Sequence, residues 1–292
     1  DCLGLERHPN LLTPNLDALG RRGAHFRRAY TPAPVCCPAR RSLLTGHAPA
    51  TDGCLDNTPV RIPRANDTLP HLLRRAGYET VSVGRTMHQY PDHHRYGFEQ
   101  VFRRPHNDRY SRFRTAVPGL SPNLETYPHH LDHGLPLDGY TARPWPYAEE
   151  YHESNYTVAR AIQYLDERDR EQPFFLYLGV VAPHPPLCPP ACYYDRFHRM
   201  PDLAPPLVGD WVKPVPKGGL VGGVQATEIQ LEGEAMRAAR AGYLGLINHF
   251  DDLLYNFFNR LAQEGPDTWV LFTSDHGEML GDHHLFRKMQ PY

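Results

Sequence analysis

The sequence predicts an α/β fold, and three observations carry that expectation. A helix signalled over Thr68 to Ala76 stops at Gly77 and hands over directly to a strand, Tyr78 to Val83, the alternation of α/β domains. The run Pro173 to Val181 is apolar on both strand faces, the pattern of a strand inside a parallel sheet. A third strand is expected over Thr268 to Thr273, and each of the three runs into polar residues suited to chemistry. Open α/β sheets place their sites beyond the carboxyl ends of strands.

Length and composition narrow the classes. At 292 residues the chain can bury a core for one large domain or one and a half. A net charge of −2, with no basic block beyond Arg40-Arg41 and Arg74-Arg75, argues against a nucleic-acid surface. No apolar run reaches the length of a membrane span and no signal peptide stands in the given chain, so localisation stays open. The six cysteines form no repeated pairing pattern; Cys188-Pro-Pro-Ala-Cys192 lacks the second Cys/His pair that a zinc knuckle needs. The chain opens on Asp1 rather than Met and stops at Tyr292, and it reads as an excerpt of a longer protein.

Taken in order, Thr13 to Gly23 carries the signals of a helix: Thr13 as cap, Pro14 at the first position, Gly23 as stop. Residues 34–46 read as a loop that becomes a helix at Pro38, since proline suits a first helical turn. Cys36 then sits just before a helix N-terminus, where free N–H groups favour an anion, and Arg40 lies four residues on. That setting suits a reactive thiol, although an unpaired cysteine also serves as a small buried hydrophobe. Residues 47–67 are expected as loop, and residues 89–150 as long loops over the site. There Arg103, Arg104 and Arg143 are candidates to meet an acidic substrate. A helix is expected from Ser154, as cap, to Asp169 on the spacing of Val158, Ala161, Ile162 and Leu165. Residues 187–227 are expected as loop, mobile around Gly218-Gly219 and Gly222-Gly223. A long helix follows over Glu228 to Gln263, expected to break near Gly242 or Gly245, with Asp251 and Asp252 on its polar face. At the end of the last strand, Asp275 and His276 followed by Gly277 form a metal half-site, with Glu278 next in line.

Cys36-x-Pro38-x-Arg40 followed by Thr45-Gly46 resembles the signature of the formylglycine-dependent, type I sulfatases. Only Cys36 fits, because Cys37 would need proline at Ala39. Further segments fall in that family's order: Thr13 to Gly23, Gly84 to His88, Ala182-Pro183-His184, and Ser274-Asp275-His276-Gly277 with Lys288 beyond it. The Gly84 to His88 segment is most similar to the iduronate sulfatase-like branch, with Arg85 where lysine is usual. Arginine keeps the charge but holds an oxyanion by a bidentate grip and does not give up its proton.

The resemblance implies an alkaline phosphatase-like fold, a large mixed, mostly parallel sheet sandwiched by helices. Residues 1–292 would form a single catalytic domain without the family's first strand, whose metal aspartates would precede Asp1, and without its small C-terminal domain. It implies hydrolysis of a sulfate monoester by a formylglycine made from Cys36 by a maturation enzyme. Asp275, His276 and the side chain at 36 would hold one divalent ion, calcium by family habit, with manganese, magnesium and zinc open because of the imidazole. Arg40 would orient the nucleophile; Arg85, His184 and Lys288 would grip the sulfate, and His88 would move a proton. The expected partner is a small sulfated compound, a sugar sulfate by base rate. The rival readings are a phosphonate monoester or phosphodiester hydrolase of the same superfamily and a non-catalytic binding homologue.

Overall fold

Short helices started by proline and strands stopped by glycine account for most of the architecture. The computed structural model describes residues 2–62, 67–103, 140–215, 217 and 228–290. Arg104 and the glycines at 218–223 lie outside the described residues. The elements are α1 (Pro14–Arg22), α2 (Cys36–Thr45), α3 (Pro49–Asp52), α4 (Leu69–Arg75), β1 (Glu79–Gly84), β2 (Gln100–Arg103), α5 (Glu153–Glu167), β3 (Phe174–Gly179), α6 (Ala191–His198) and α7 (Gly233–Leu261).

Among the described residues the sheet has three parallel strands in the order β2-β1-β3. Val81 and Val83 of β1 are fully buried against α5 and α7, where Val158, Ala161, Leu165, Leu254 and Phe257 meet them. Each such burial contributes about 1.5–3 kcal/mol. Phe175 and Tyr177 of β3 lie on a second cluster with Leu44 of α2, Ile62, Met87 and Phe98. The sheet is thus covered by helices on two sides, as expected, and α2 is held over its carboxyl end. At that end β1 and β3 converge: Arg85 N donates to Gly179 O at 2.6 Å. Gly84 there has φ +86°, and a Cβ would stand 2.3 Å from Gly179 O, so only glycine fits.

Several local expectations are corrected. Helix α2 begins at Cys36, not Pro38; Val35, extended at φ −154°, occupies the cap position. Pro38 still suits its place, because a residue in the first turn has no intrahelical partner for an N–H. In α5 the cap is His152, whose side chain accepts from Ser154 N at 3.2 Å; Ser154 is already helical. The short helices α3 and α6 and the strand β2 fall where loop is expected. Helix α7 runs unbroken through Gly242 and Gly245. Their lack of side chains serves packing: a Cβ on Gly242 would stand 2.6 Å from Ala142 Cβ, and one on Gly245 2.8 Å from Pro189 Cγ.

Asp251 does not lie on a polar face. It is wholly buried, and its carboxylate accepts from Asn15 N (3.1 Å), Asn15 Nδ2 (3.1 Å) and Leu16 N (2.8 Å). It thereby caps α1 from 236 residues away, while Thr13 Oγ1 instead takes Gly4 N and donates to Asp17. Asp252 remains exposed.

The expected strand Thr268 to Thr273 is not paired in the described structure. Trp269 is 97% and Leu271 83% exposed, with Val270 and Phe272 also exposed, and β3 is only half-buried over most of its length. β3 therefore forms the sheet edge among the described residues rather than a central strand. A strand needs a neighbour to bond its backbone, and no described segment pairs with residues 268–273.

Candidate active site

Four separated segments deliver side chains to one spot: the first turn of α2, the loop after β1, the loop after β3, and residues 275–288. Cys36 is buried as the first residue of α2. Its Sγ lies 3.2 Å from His276 Nε2 and accepts from Lys288 Nζ at 3.1 Å. Lys288 Nζ also reaches His184 Nε2 at 3.3 Å. One turn along α2, Arg40 is 5% exposed and grips Asp275 Oδ2 with Nε and Nη2, both at 2.7 Å.

The electrostatics follow from this packing. Burial alone would raise the Cys36 pKa, but the His276 hydrogen bond and the charges of Lys288 and Arg40 outweigh it and bring it down to about 6. Neighbouring Cys37 lacks that compensation: burial pushes its thiol up. For Asp275, burial works against ionisation, yet Arg40 and His276 hold its carboxyl below the ordinary range. His184 is held neutral, at about 2, by burial together with the charges of Arg85 and Lys288.

The two imidazoles have defined roles. His276 Nδ1 meets Gly277 O at 2.9 Å and His184 Nδ1 meets Pro185 O at 2.6 Å, so in each ring Nδ1 carries the proton. Both Nε2 lone pairs then face the centre. Cys36 Sγ, an Asp275 carboxylate oxygen and His276 Nε2 all lie within 4.8 Å of one another. A thiol, a carboxylate and a correctly tautomerised imidazole fit a divalent cation.

The structure therefore brings together Cys36, Arg40, His184, Asp275, His276 and Lys288. Arg85 is buried beside them, near enough for its charge to act on both His184 and Asp275. His88, in the left-handed region at φ +51°, is tied to the group through its carbonyl, which accepts from Cys37 Sγ at 3.3 Å. Arg143 stays in the loop before α5, where its N–H donates to Leu187 O. Cys188 is buried and Cys192 exposed, and neither belongs to a described group of potential metal ligands.

Three contributions escape sequence reasoning. Thr31 Oγ1 donates to Asp275 O at 2.6 Å. Gln89, itself buried, receives Arg41 Nε at 2.8 Å and donates Nε2 to Cys37 O (3.1 Å) and Met87 O (2.8 Å), fastening the loop after β1 to α2. Glu278, next after the half-site, accepts at Oε1 from Leu280 N at 3.2 Å and from Arg287 N, closing the turn that presents Lys288. A glutamate two residues after His276 was the available signal; the other two carry none.

The family model for sulfatases matches residues 1–291. An arylsulfatase of Clostridium perfringens is 33% identical over 309 residues, covering 100% of this chain and 63% of that protein. The multifunctional alkaline phosphatase superfamily protein PehA of Trinickia caryophylli is 33% identical over 315 residues, covering 97% of this chain and 60% of its own length. Among solved structures, the phosphonate monoester hydrolase of Agrobacterium radiobacter superposes with a TM-score of 0.74 at 23% identity, over 98% of this chain and 62% of that one. The chain thus spans about three fifths of the length of these proteins. The superposition bears out the alkaline phosphatase-like fold.

Proposed function

Because this chain belongs to the sulfatase family, we propose that it takes part in the hydrolysis of sulfate monoesters, with Cys36 as the precursor of the nucleophile. The observation that supports this best is the convergence on one buried sulfur of His276 at 3.2 Å and Lys288 at 3.1 Å, beside the Arg40–Asp275 pair. Cysteine Sγ stands where a formylglycine hydrate would place its attacking hydroxyl. We take residues 1–292 as belonging to one catalytic domain, and a formylglycine-generating enzyme as its partner in maturation.

A divalent ion held by Asp275, His276 and the side chain at 36 would lower the pKa of that hydroxyl and offset charge on the sulfate. Calcium follows from family habit, while the imidazole donor keeps manganese, magnesium and zinc in play. The rest is done by the chain itself. Arg40 engages Asp275 Oδ2, which leaves Oδ1 turned toward His276. Lys288 and Arg85 supply positive charge where sulfate oxygens gain negative charge in the transition state. His184, kept neutral, holds Lys288 in place by accepting from its ammonium. His88 is assigned the proton transfer.

The test is the mass of the peptide containing Cys36, from protein made in its own host, followed by turnover of an aryl sulfate. Conversion of thiol to aldehyde lowers the mass by about 18 Da at the activated nucleophile. An unmodified thiol in protein that still cleaves the ester would refute the nucleophile. A second reading, hydrolysis of phosphonate monoesters or phosphodiesters, is suggested by the fold shared with a phosphonate monoester hydrolase. Faster turnover of an aryl phosphonate monoester than of the sulfate would select it. A purely binding role fits poorly with the intact set of Cys36, Arg40, Asp275, His276 and Lys288.

A further inference from the structure

We propose that Cys37 and Gln89 form a brace that fixes His88 against residue 36, which makes both of them positioning residues for the proton-transfer step. Cys37 fills the unspecified position of the Cys36-x-Pro38 motif, and Gln89 lies one residue past the Gly84 to His88 segment. His88 has φ +51°, in the left-handed region that a residue with a side chain rarely adopts. Gln89 holds it there. Its Nε2 donates to Met87 O at 2.8 Å, a bond that spans His88 and closes a ring across its backbone. On the other side, His88 O accepts from Cys37 Sγ at 3.3 Å. The strained residue is thus tied from both flanks.

The orientation of the brace follows from its donors. Gln89 is 3% exposed, and its Oε1 receives Arg41 Nε at 2.8 Å. A guanidinium only donates, so the amide stands one way round, with its NH2 toward the carbonyls. The second amide hydrogen goes to Cys37 O at 3.1 Å. Cys37 N donates to Asn57 Oδ1 at 2.9 Å, so the N–H, the carbonyl and the thiol of this one residue are all engaged. Because Cys37 follows residue 36 in the first turn of α2, residue 36 and His88 share one frame, completed by Arg41 of the same helix.

The consequence for rate rests on the esterase reading; the brace does not. A proton donor or base works within about 2.6–3.2 Å of the atom it serves, and a misplacement of about 1 Å costs on the order of 100-fold. Kinetics are measured on the matured enzyme with an aryl sulfate and an aryl phosphonate monoester. Cys37→Ala should lower kcat about 10- to 100-fold, as should Gln89→Glu, which keeps an oxygen for Arg41 but loses the amide donor. KM should hold, because the groups assigned to the sulfate, Arg85, His184 and Lys288, are untouched. Cys37→Ser keeps a donor for His88 O and should recover most of the loss. In parallel, the imidazole NMR signals of His88, assigned by their absence in His88→Gln, are recorded at one fixed pH. They should shift in Cys37→Ala and Gln89→Glu and return in Cys37→Ser. Shifted signals in a protein that turns over neither ester would support the brace and remove the esterase reading instead. Unchanged kcat in Cys37→Ala, an equal loss in Cys37→Ser and Cys37→Ala, or His88 signals that no variant moves would each overturn the assignment. The two Cys37 variants decide the matter even if Gln89→Glu does not fold.

Discussion

Replacing Asp251 by alanine should unfold the chain far more readily than a surface substitution, although the residue is remote from the active site. Its carboxylate is wholly buried and answers the N-terminal N–H groups of α1, where helices have no internal acceptors. Leu16 is 5% exposed, so its N–H would lose its acceptor in a place water does not reach, a cost of about 1–3 kcal/mol. Asn15 is half-buried; water partly replaces its lost partner, and the cap value of about 1 kcal/mol applies. Together the loss is about 2–4 kcal/mol. Equilibrium urea unfolding, followed by tryptophan fluorescence and far-UV circular dichroism, measures it. Asp251→Asn keeps one acceptor oxygen and should recover about half. A loss below about 0.5 kcal/mol for Asp251→Ala, the range of a neutral surface change, would refute the capping role.

Other perturbations follow from the same packing. In unconverted protein, the rate of Cys36 alkylation should rise through a midpoint near pH 6, and Lys288→Met should move that midpoint upward toward the ordinary value of 9.0, as the thiolate loses a neighbouring charge. An unmoved midpoint would show that Lys288 does not act on the sulfur. Since folding lowers this pKa, the thiolate contributes stability above pH 9.0 that fades as pH falls through 6; denaturation midpoints of Cys36→Ala against the parent across that window check the sign. Gly242→Ala should destabilise by about 1–3 kcal/mol through overpacking against Ala142 and Leu187, in contrast to the gain alanine brings in an exposed helix; thermal unfolding distinguishes the two. Arg85→Lys should retain most turnover of an aryl sulfate, whereas Arg85→Ala should lose about 100-fold in kcat; equal loss in both would mean the fork, not the charge, is what the site uses.

Much of the site could be read from the sequence because its residues lie in short segments at strand and helix ends, where local chemistry and position coincide. Cys36, Arg40, Asp275 and His276 meet as their segments suggest, and the β1 and β3 termini carry Arg85 and His184 to the same place. What sequence could not show are pairings set by distant contacts. Asp251 reads as a helix-surface carboxylate until α1 is placed against it. Gly242 and Gly245 read as helix breakers, because only the approach of Ala142 and Pro189 reveals why a side chain is excluded there. Helix α6 is a single amphipathic pair of turns after Pro190, too short for its period to rise above a proline-rich background. The strand expected at 268–273 has the right composition, yet a strand is a relation between neighbours, and composition supplies only one of them.

That unpaired stretch has a consequence for handling the protein. Trp269-Val-Leu-Phe272 is apolar, uncharged, free of proline and exposed, and β3 has a strand partner on one side only among the described residues. Two chains could bond edge to edge, the ribbon of one on the strand of the next, since each copy carries both an adhesive ribbon and a receptive strand. Concentration rather than heat would then set the practical limit on the 292-residue chain, and a single lysine at position 271 would raise that limit without touching the active site.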